Sequence, residues 1–296
     1  MNKRTKTVQI VIGVVVAIVL LVIVVVIVRS YHGRGDLRQA IQALSQASTF
    51  HAASDLKLTL PLLSQGKERP FNALDIKVEG DVTRGGPTPE LTGTVYMEAK
   101  GRGSIFFADG DVRLLKDATA FRLENLPVLL NPTGNLLKKW TYVPVPVLAS
   151  TNPPAIQTVV NQVIQKLSYR GQDKIEGVST LHFSGTVTPV EEQQIHDVLE
   201  QKTSGNRALN IIARLLNGGD IKSIEVWVDK STHEIPRFRL SFVHPVKNSQ
   251  PVDFATLDLS FTDYGKKVTI TRPPQQSTAK PDVFAKLFGT GQVTSQ

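Results

Sequence analysis

The residues of this chain best suited to metal binding or proton transfer are six histidines: His32, His51, His182, His196, His233 and His244. None stands at HExxH or HxH spacing from another, so no metal site is expected. Cysteine is absent. That removes disulfides, thiolate zinc sites, iron–sulfur clusters, cysteine nucleophiles and lipid attachment through a cysteine. Two acid pairs remain. Glu191-Glu192 opens a helical pattern, where acids complement the helix dipole, and Asp109 and Asp111 flank Gly110, where a turn is expected. No GxSxG elbow, P-loop or GxGxxG occurs. The expectation is therefore a non-enzyme, with no catalytic residue, metal or cofactor. Arg34-Gly35-Asp36 matches an adhesion tripeptide over three residues only, so Asp36 is read as the N-cap of the helix that follows. Trp140 and Tyr142, beside several prolines, read as packing against a sheet, with the rim of a cavity as the other reading.

The charge balance narrows the partners. There are 34 Lys plus Arg against 26 Asp plus Glu, a formal net charge of +8. No Lys/Arg block or basic–aromatic ladder occurs, so no nucleic acid is expected as a partner. A modest basic excess suits contact with an anionic envelope surface.

Residues 10–28, Ile10 to Val28, are apolar or glycine throughout. At about 1.5 Å per residue such a run spans roughly 28 Å, close to the hydrocarbon thickness of a bilayer. Lys3, Arg4 and Lys6 precede it and favour a cytoplasmic N-terminus, while Arg29, Arg34 and Arg38 follow it and weaken that preference. The run is longer than a signal-peptide core and ends in Val28-Arg29 with no small-x-small site, which favours an uncleaved anchor. The expected organisation is a cytoplasmic N-terminus (1–7), a transmembrane signal anchor (8–29) and a linker (30–36). An extracytoplasmic domain (37–272) and a C-terminal tail (273–296) follow. The expected location is the cell membrane, single-pass, with the domain outside.

Leu37, Ala40, Ile41, Leu44 and Ala47 share one helical face. Period-two runs follow: Leu56 to Leu62, Leu74 to Val78, Leu91 to Ala99, and Phe121 with Leu123. Ser104 to Asp109 and Asp111 to Lys116 read as a hairpin about Gly110. A short helix is expected at Leu136 to Trp140. Longer helices are expected from Pro153 to Leu167 and from Pro189 to Leu216. Strands return at 174–188, 224–228, 238–242 and 257–261, with a last one carrying Val268 and Ile270. Val283, Phe284, Leu287 and Phe288 form a small apolar patch in the tail. The tally is α+β, an antiparallel sheet with one apolar face covered by helices.

The stretches IEVWVDKSTHEIPRFRLSF (224–242) and LDLSFTDYGKKVTITRPP (257–274) resemble the LolA-like and LppX/LprG-type envelope lipoproteins. Trp227, Asp229, Pro236, Phe261, Asp263, Tyr264 and Gly265 carry the resemblance. The order of elements matches over residues 37–273, and the specific motifs cover the last third. The resemblance implies a curved antiparallel sheet, an incomplete barrel, wrapped over helices around an apolar cavity that holds lipids or acyl chains. This chain departs from the pattern in having no lipobox cysteine, a transmembrane run standing in its place. Free long-range carriage is therefore not expected.

Two functional readings follow. In the first, the domain binds a lipid, glycolipid or acylated partner, with Leu58, Leu60, Ile76, Val95, Met97, Phe183, Val226, Phe238 and Phe242 on the sheet side of the cavity. In the second, it is an envelope interaction or sensory module without a small ligand, with a packed interior and a contact patch outside.

Overall fold

A computed structural model describes residues 35–274 except 60–62, 65–66, 69–71, 85–88, 102–103, 117, 126–136, 144–165, 189, 191, 194–219 and 245–250. The expected anchor, the helix from Pro153, most of that from Pro189, and the tail patch lie outside the described residues. Among those described, no helix is long and apolar enough to cross a membrane.

The chain enters through helix α1 (Gly35–Gln46). Leu37, Ala40, Ile41 and Leu44 are spaced to share one face, and all four are buried against the sheet. Asp36 lies inside the first turn rather than before it, because the helix already starts at Gly35. Its carboxylate meets His233 at 3.2 Å, so the expected N-cap becomes a link to a distant loop. At the other end the Arg84 guanidinium donates to the Leu44 carbonyl, closing an otherwise open helix terminus.

Thirteen strands follow among the described residues. They are β1 (Thr49–Thr59), β2 (Leu63–Ser64), β3 (Lys67–Glu68), β4 (Ala73–Thr83), β5 (Glu90–Gly101), β6 (Ser104–Leu114) and β7 (Thr119–Asn125). The rest are β8 (Trp140–Val143), β9 (Ser168–Ile175), β10 (Val178–Gly185), β11 (Asp220–Asp229), β12 (Arg237–His244) and β13 (Val252–Thr262). β2 and β3 pair as a separate ribbon, and the others form one antiparallel sheet in the order β8-β7-β6-β5-β4-β1-β13-β12-β11-β10-β9. β1 is the seam. It pairs with β4 on one side and with the last strand, β13, on the other.

The antiparallel sheet with one apolar face is as expected; its curvature is not. The sheet is open and uncurled, with β8 and β9 as its edges, so the expected incomplete barrel is corrected. The topology supplies the reason. Two meanders grow outward from the seam, which leaves their last strands at opposite edges.

Four local expectations also change. Gly110 does not turn the chain. β6 runs through it as one strand, and a register shift against β7 falls at Asp109/Gly110. The glycine serves close backbone approach instead, since a Cβ there would overlap the Arg122 carbonyl oxygen. The expected helix at Leu136–Trp140 is replaced by a bridge at Leu137 and by strand β8, and Lys138 takes the left-handed region (φ 58°). β9 was not expected as a strand of its own. It reaches β10 through Glu176-Gly177, whose φ values of 51° and 87° suit a tight two-residue hairpin. The expected strand at Val268 and Ile270 is extended coil. Arg113 donates to the Thr271 carbonyl and Tyr142 to the Pro273 carbonyl, so residues 266–274 pass over β6 and β8 as a strap.

Gly80 and Gly93 face each other across β4 and β5. A Cβ on Gly93 would overlap the Glu79 carbonyl oxygen and lie 2.8 Å from the Gly80 Cα. Gly93→Ala is expected to destabilise the domain by about 2 kcal/mol or more, because backbone in the middle of a sheet cannot move aside. Urea unfolding of the two chains checks this, with Gly35→Ala, where a Cβ meets no atom within 4 Å, as the milder comparison.

Candidate functional site

Alternation along each strand divides the sheet into an apolar face, which α1 packs against at one end, and a polar face. One row across the apolar face reads Tyr169, Phe183, Val226, Phe238, Leu259, Ser54, Val78 and Val95, from β9 to β5. The next reads Ile224, Leu240, Leu257, Leu56, Ile76 and Met97. A third joins Ile221, Phe242, Ala255, Leu58 and Leu74.

Eight of the nine expected ligand-side residues therefore share one face; Leu60 lies outside the described residues. They divide by burial. Leu58, Ile76, Val95, Met97, Val226 and Phe242 are buried and belong to the hydrophobic core. Phe183 and Phe238 are only partly buried, as are Leu181, Ile221 and Leu240 around them. Tyr169 meets Phe183 edge to face at 5.8 Å and is 53% exposed. The apolar face thus continues without a break from a closed core under β1, β4 and β5 to an accessible patch over β9 to β12.

Leu181 and Leu240 are apolar strand positions in the sequence but were not placed at the cavity, and Ile221 and Tyr169 were not singled out. Leu181 and Leu240 sit in apolar phase within their strands, whereas Ile221 is out of phase with Ile224 and Val226 and joins their face only through the register shift between Ile221 and Ser223. Tyr169 carries no such signal, because β9 (SYRGQDKI) is polar nearly throughout.

The motif residues at 227–265 hold this patch in place. The Asp229 carboxylate accepts from the Ser231 N–H and hydroxyl, both at 2.6 Å, and from the Thr232 N–H at 3.1 Å, shaping the turn after β11. Tyr264 donates to the Ile235 carbonyl at 3.0 Å, and burial pushes its phenol far above the ordinary range. Phe50 packs edge to face on Phe261 at 5.9 Å and lies 6.3 Å from Tyr264. The β11–β12 turn, the end of β13 and the start of β1 thereby form one block.

The polar face is a lattice of charge and rings. Trp227 stacks on His182 at 4.6 Å and donates to Asp173 at 3.0 Å, with the guanidiniums of Arg237 and Arg239 over its ring. Those two arginines also grip Asp258, at 2.7 and 2.8 Å. Trp140 lies under Arg113 and Arg122 in the same manner and is buried, so its packing reading holds. Asp109 accepts from Asn125, and Asp111 from Arg122, so both members of that acid pair are engaged structurally. Among the described residues, no three His, Asp or Glu come together in a way that would hold a metal.

No family model and no curated protein sequence matches the chain. Among solved structures, it is similar to LprF from Mycobacterium bovis, with 17% identity and a TM-score of 0.44, covering 80% of this chain and 95% of that one. The Mycobacterium tuberculosis lipoprotein LppX follows at 13% and 0.37, with coverages of 80% and 96%. A putative outer membrane lipoprotein-sorting protein domain from Vibrio parahaemolyticus follows at 10% and 0.23, with coverages of 79% and 93%. These likenesses are too distant to assign an activity.

Two carboxyls of the polar face titrate with opposite effect. Burial alone would raise Asp258, but hydrogen bonds from Arg237 and Arg239 outweigh it and hold the carboxyl below its ordinary value. Its stabilisation is full above pH 3.8 and is lost as pH falls through the depressed folded value. Asp75 is raised by burial and by Asp55, its diagonal neighbour on β1. Its contribution is present below pH 3.8 and is lost as pH rises through the raised folded value. Asp258→Asn is therefore expected to be less stable than the parent near neutrality, with the gap closing in acid. Asp75→Asn is expected to be at least as stable near neutrality, its advantage vanishing in acid. Urea midpoints from pH 3 to 8 check both.

Proposed function

We propose that this chain is a membrane-anchored, extracytoplasmic binding protein that holds the apolar chain of a lipid or acylated molecule against its sheet. One observation carries the reading: Phe183, Phe238, Leu181, Leu240 and Ile221 are only partly buried and, with the exposed Tyr169, extend the apolar core towards the β9 edge. Exposed apolar area of this kind gains stabilisation when a ligand covers it, at about 25 cal/mol per Å². A folded domain rarely leaves a contiguous apolar surface without a binding role. Binding rather than catalysis suits the polar face, whose acids and bases are engaged with one another. The apolar run at residues 10–28 supplies the tether and, with the lysines and arginine before it, the orientation. Such a domain presents or senses its ligand near the membrane surface instead of carrying it far.

The alternative, an interaction or sensory module, draws support from the opposite face. Ile105 and Phe107 of β6 are 64% and 51% exposed there. Two apolar side chains in phase on one strand make a contact point for a protein partner.

Native mass spectrometry of the detergent-extracted chain tests the first reading. Adducts with the masses of host lipids, removed by organic extraction, are expected. Phe183→Ala with Phe238→Ala is expected to weaken uptake roughly tenfold or more, since each ring buries on the order of 1.5–3 kcal/mol of apolar surface. A chain that stays free of adducts after incubation with lipid extract, while substitutions at Ile105 and Phe107 disrupt association with a membrane protein, would favour the second reading.

A further inference from the structure

Strand β9 changes phase part-way along. Asp173 and Gly171 pair with Thr180 and His182, and the Asp173 carboxylate meets His182 and Trp227 on the polar face. Tyr169 follows them at a period of two and would continue on that face. It pairs instead with Phe183, because the register shifts between His182 and Phe183 and leaves Arg170 as the extra residue of a bulge. Gly171 beside it takes φ 142°, a region that glycine adopts without strain. A slip of one residue carries a side chain to the other face. Tyr169 thereby joins the apolar face, its ring edge to face with Phe183 at 5.8 Å.

The position it reaches is an open one. Tyr169 is 53% exposed, Phe183 and Phe238 further along the row are partly buried, and Leu259 beyond them is buried. Cover therefore increases from the β9 edge towards the seam. A hydrocarbon tail gains from cover, whereas a polar head must keep its water or find a partner. A ligand on this row is thus oriented with its tail towards β12 and its head at β9. A tyrosine, with an apolar ring and a polar tip, suits the boundary between the two.

The bulge also leaves a cation at that edge. The other arginines of the described strands are engaged: Arg113 with Thr271, Arg122 with Asp111, and Arg237 and Arg239 with Asp258. Arg170 is exposed and has no hydrogen bond or ion pair among the described residues. As the extra residue it stands outside the strict alternation of the strand, the usual means by which a bulge re-aims a side chain. Its guanidinium offers five donors in a planar fork that fits two oxygens of a carboxylate or phosphate at once.

We propose that Arg170 and Tyr169 form the mouth of the apolar patch and select ligands whose acyl chain carries an anionic head, a carboxylate or a phosphate. The proposal rests on the binding reading above and deepens it, by naming the charge of the head and the edge at which it lies. The guanidinium pairs with the anion, the Tyr169 ring covers the first part of the chain, and Phe183 continues that contact inward. An ion pair so exposed to water contributes selectivity more than affinity.

The test uses three probes with the same chain: hexadecanoate, hexadecyl phosphate and methyl hexadecanoate. Their binding to the full chain, extracted in an alkyl maltoside near pH 8, is measured by native mass spectrometry. The parent is expected to bind at least one anionic probe roughly tenfold more tightly than the neutral ester, a preference that shrinks with added salt. Whichever anion binds more tightly identifies the head as carboxylate or phosphate. Arg170→Gln is expected to bring the anionic probes down to the level of the ester, Arg170→Lys to keep part of the preference, and Lys116→Gln, in the distant β6–β7 turn, to keep all of it. Tyr169→Ala is expected to weaken all three probes alike. Equal binding of the three by the parent, or a preference that survives Arg170→Gln, overturns the role of Arg170 and leaves the binding reading standing. Loss of all three in Arg170→Gln with a lowered urea midpoint also overturns it, and makes the bulge structural. Binding untouched by Tyr169→Ala overturns the placement of the mouth at β9. Uptake of no probe by the parent overturns the binding reading itself.

Discussion

The ladder between β1 and β13 is the interaction on which the rest of this structure depends. It joins His51–Leu58 to Ala255–Thr262, nearly the two ends of the described chain. Each of the two meanders is built from neighbouring hairpins and is local in sequence. Only this seam makes them one sheet, and Thr49 adds to it by donating to the Lys266 carbonyl across 217 positions. Such a contact closes a very long loop before any of its hydrogen bonds forms, which makes it the costly step of folding. The aromatic block at Phe50, Phe261 and Tyr264 lies at its end, where burial of large rings offsets that entropy.

The seam also sorts the apolar face into two kinds of surface. The inward side chains of β1, β4, β5 and β13 are buried in the core. Towards the β9 edge the same alternation leaves Phe183, Phe238 and Leu240 only partly buried. Binding surface and core are thus one continuous sheet of side chains that differ in how much lies above them.

The polar face performs a complementary task. Arg237 and Arg239 hold Asp258 across β12 and β13 and cover the Trp227 ring, while His182 and Asp173 hold that ring from the β9–β10 hairpin. Five strands on the patch side are therefore braced from behind. A rigid backing of this kind lets a face carry accessible aromatic rings without collapsing onto them.

How much of this was legible beforehand depends on the range of the interaction involved. Period-two alternation, a property of each strand by itself, located most of the strands and put eight expected ligand-side residues on one face. Helix α1 was equally plain from the spacing of Leu37, Ala40, Ile41 and Leu44. Gly110 was misread because a glycine signals a turn and a close backbone approach alike, and only the strand opposite decides between them. Val268 and Ile270 alternate as a strand does, yet the strap finds its partners in Arg113 and Tyr142 and joins no ladder. β9 was missed because its position at an edge requires no apolar face. The sequence by itself determined which side chains point the same way, since that follows from backbone geometry one residue at a time. Tertiary structure alone decided which of them are covered and which strands meet, because burial and pairing depend on segments hundreds of residues apart.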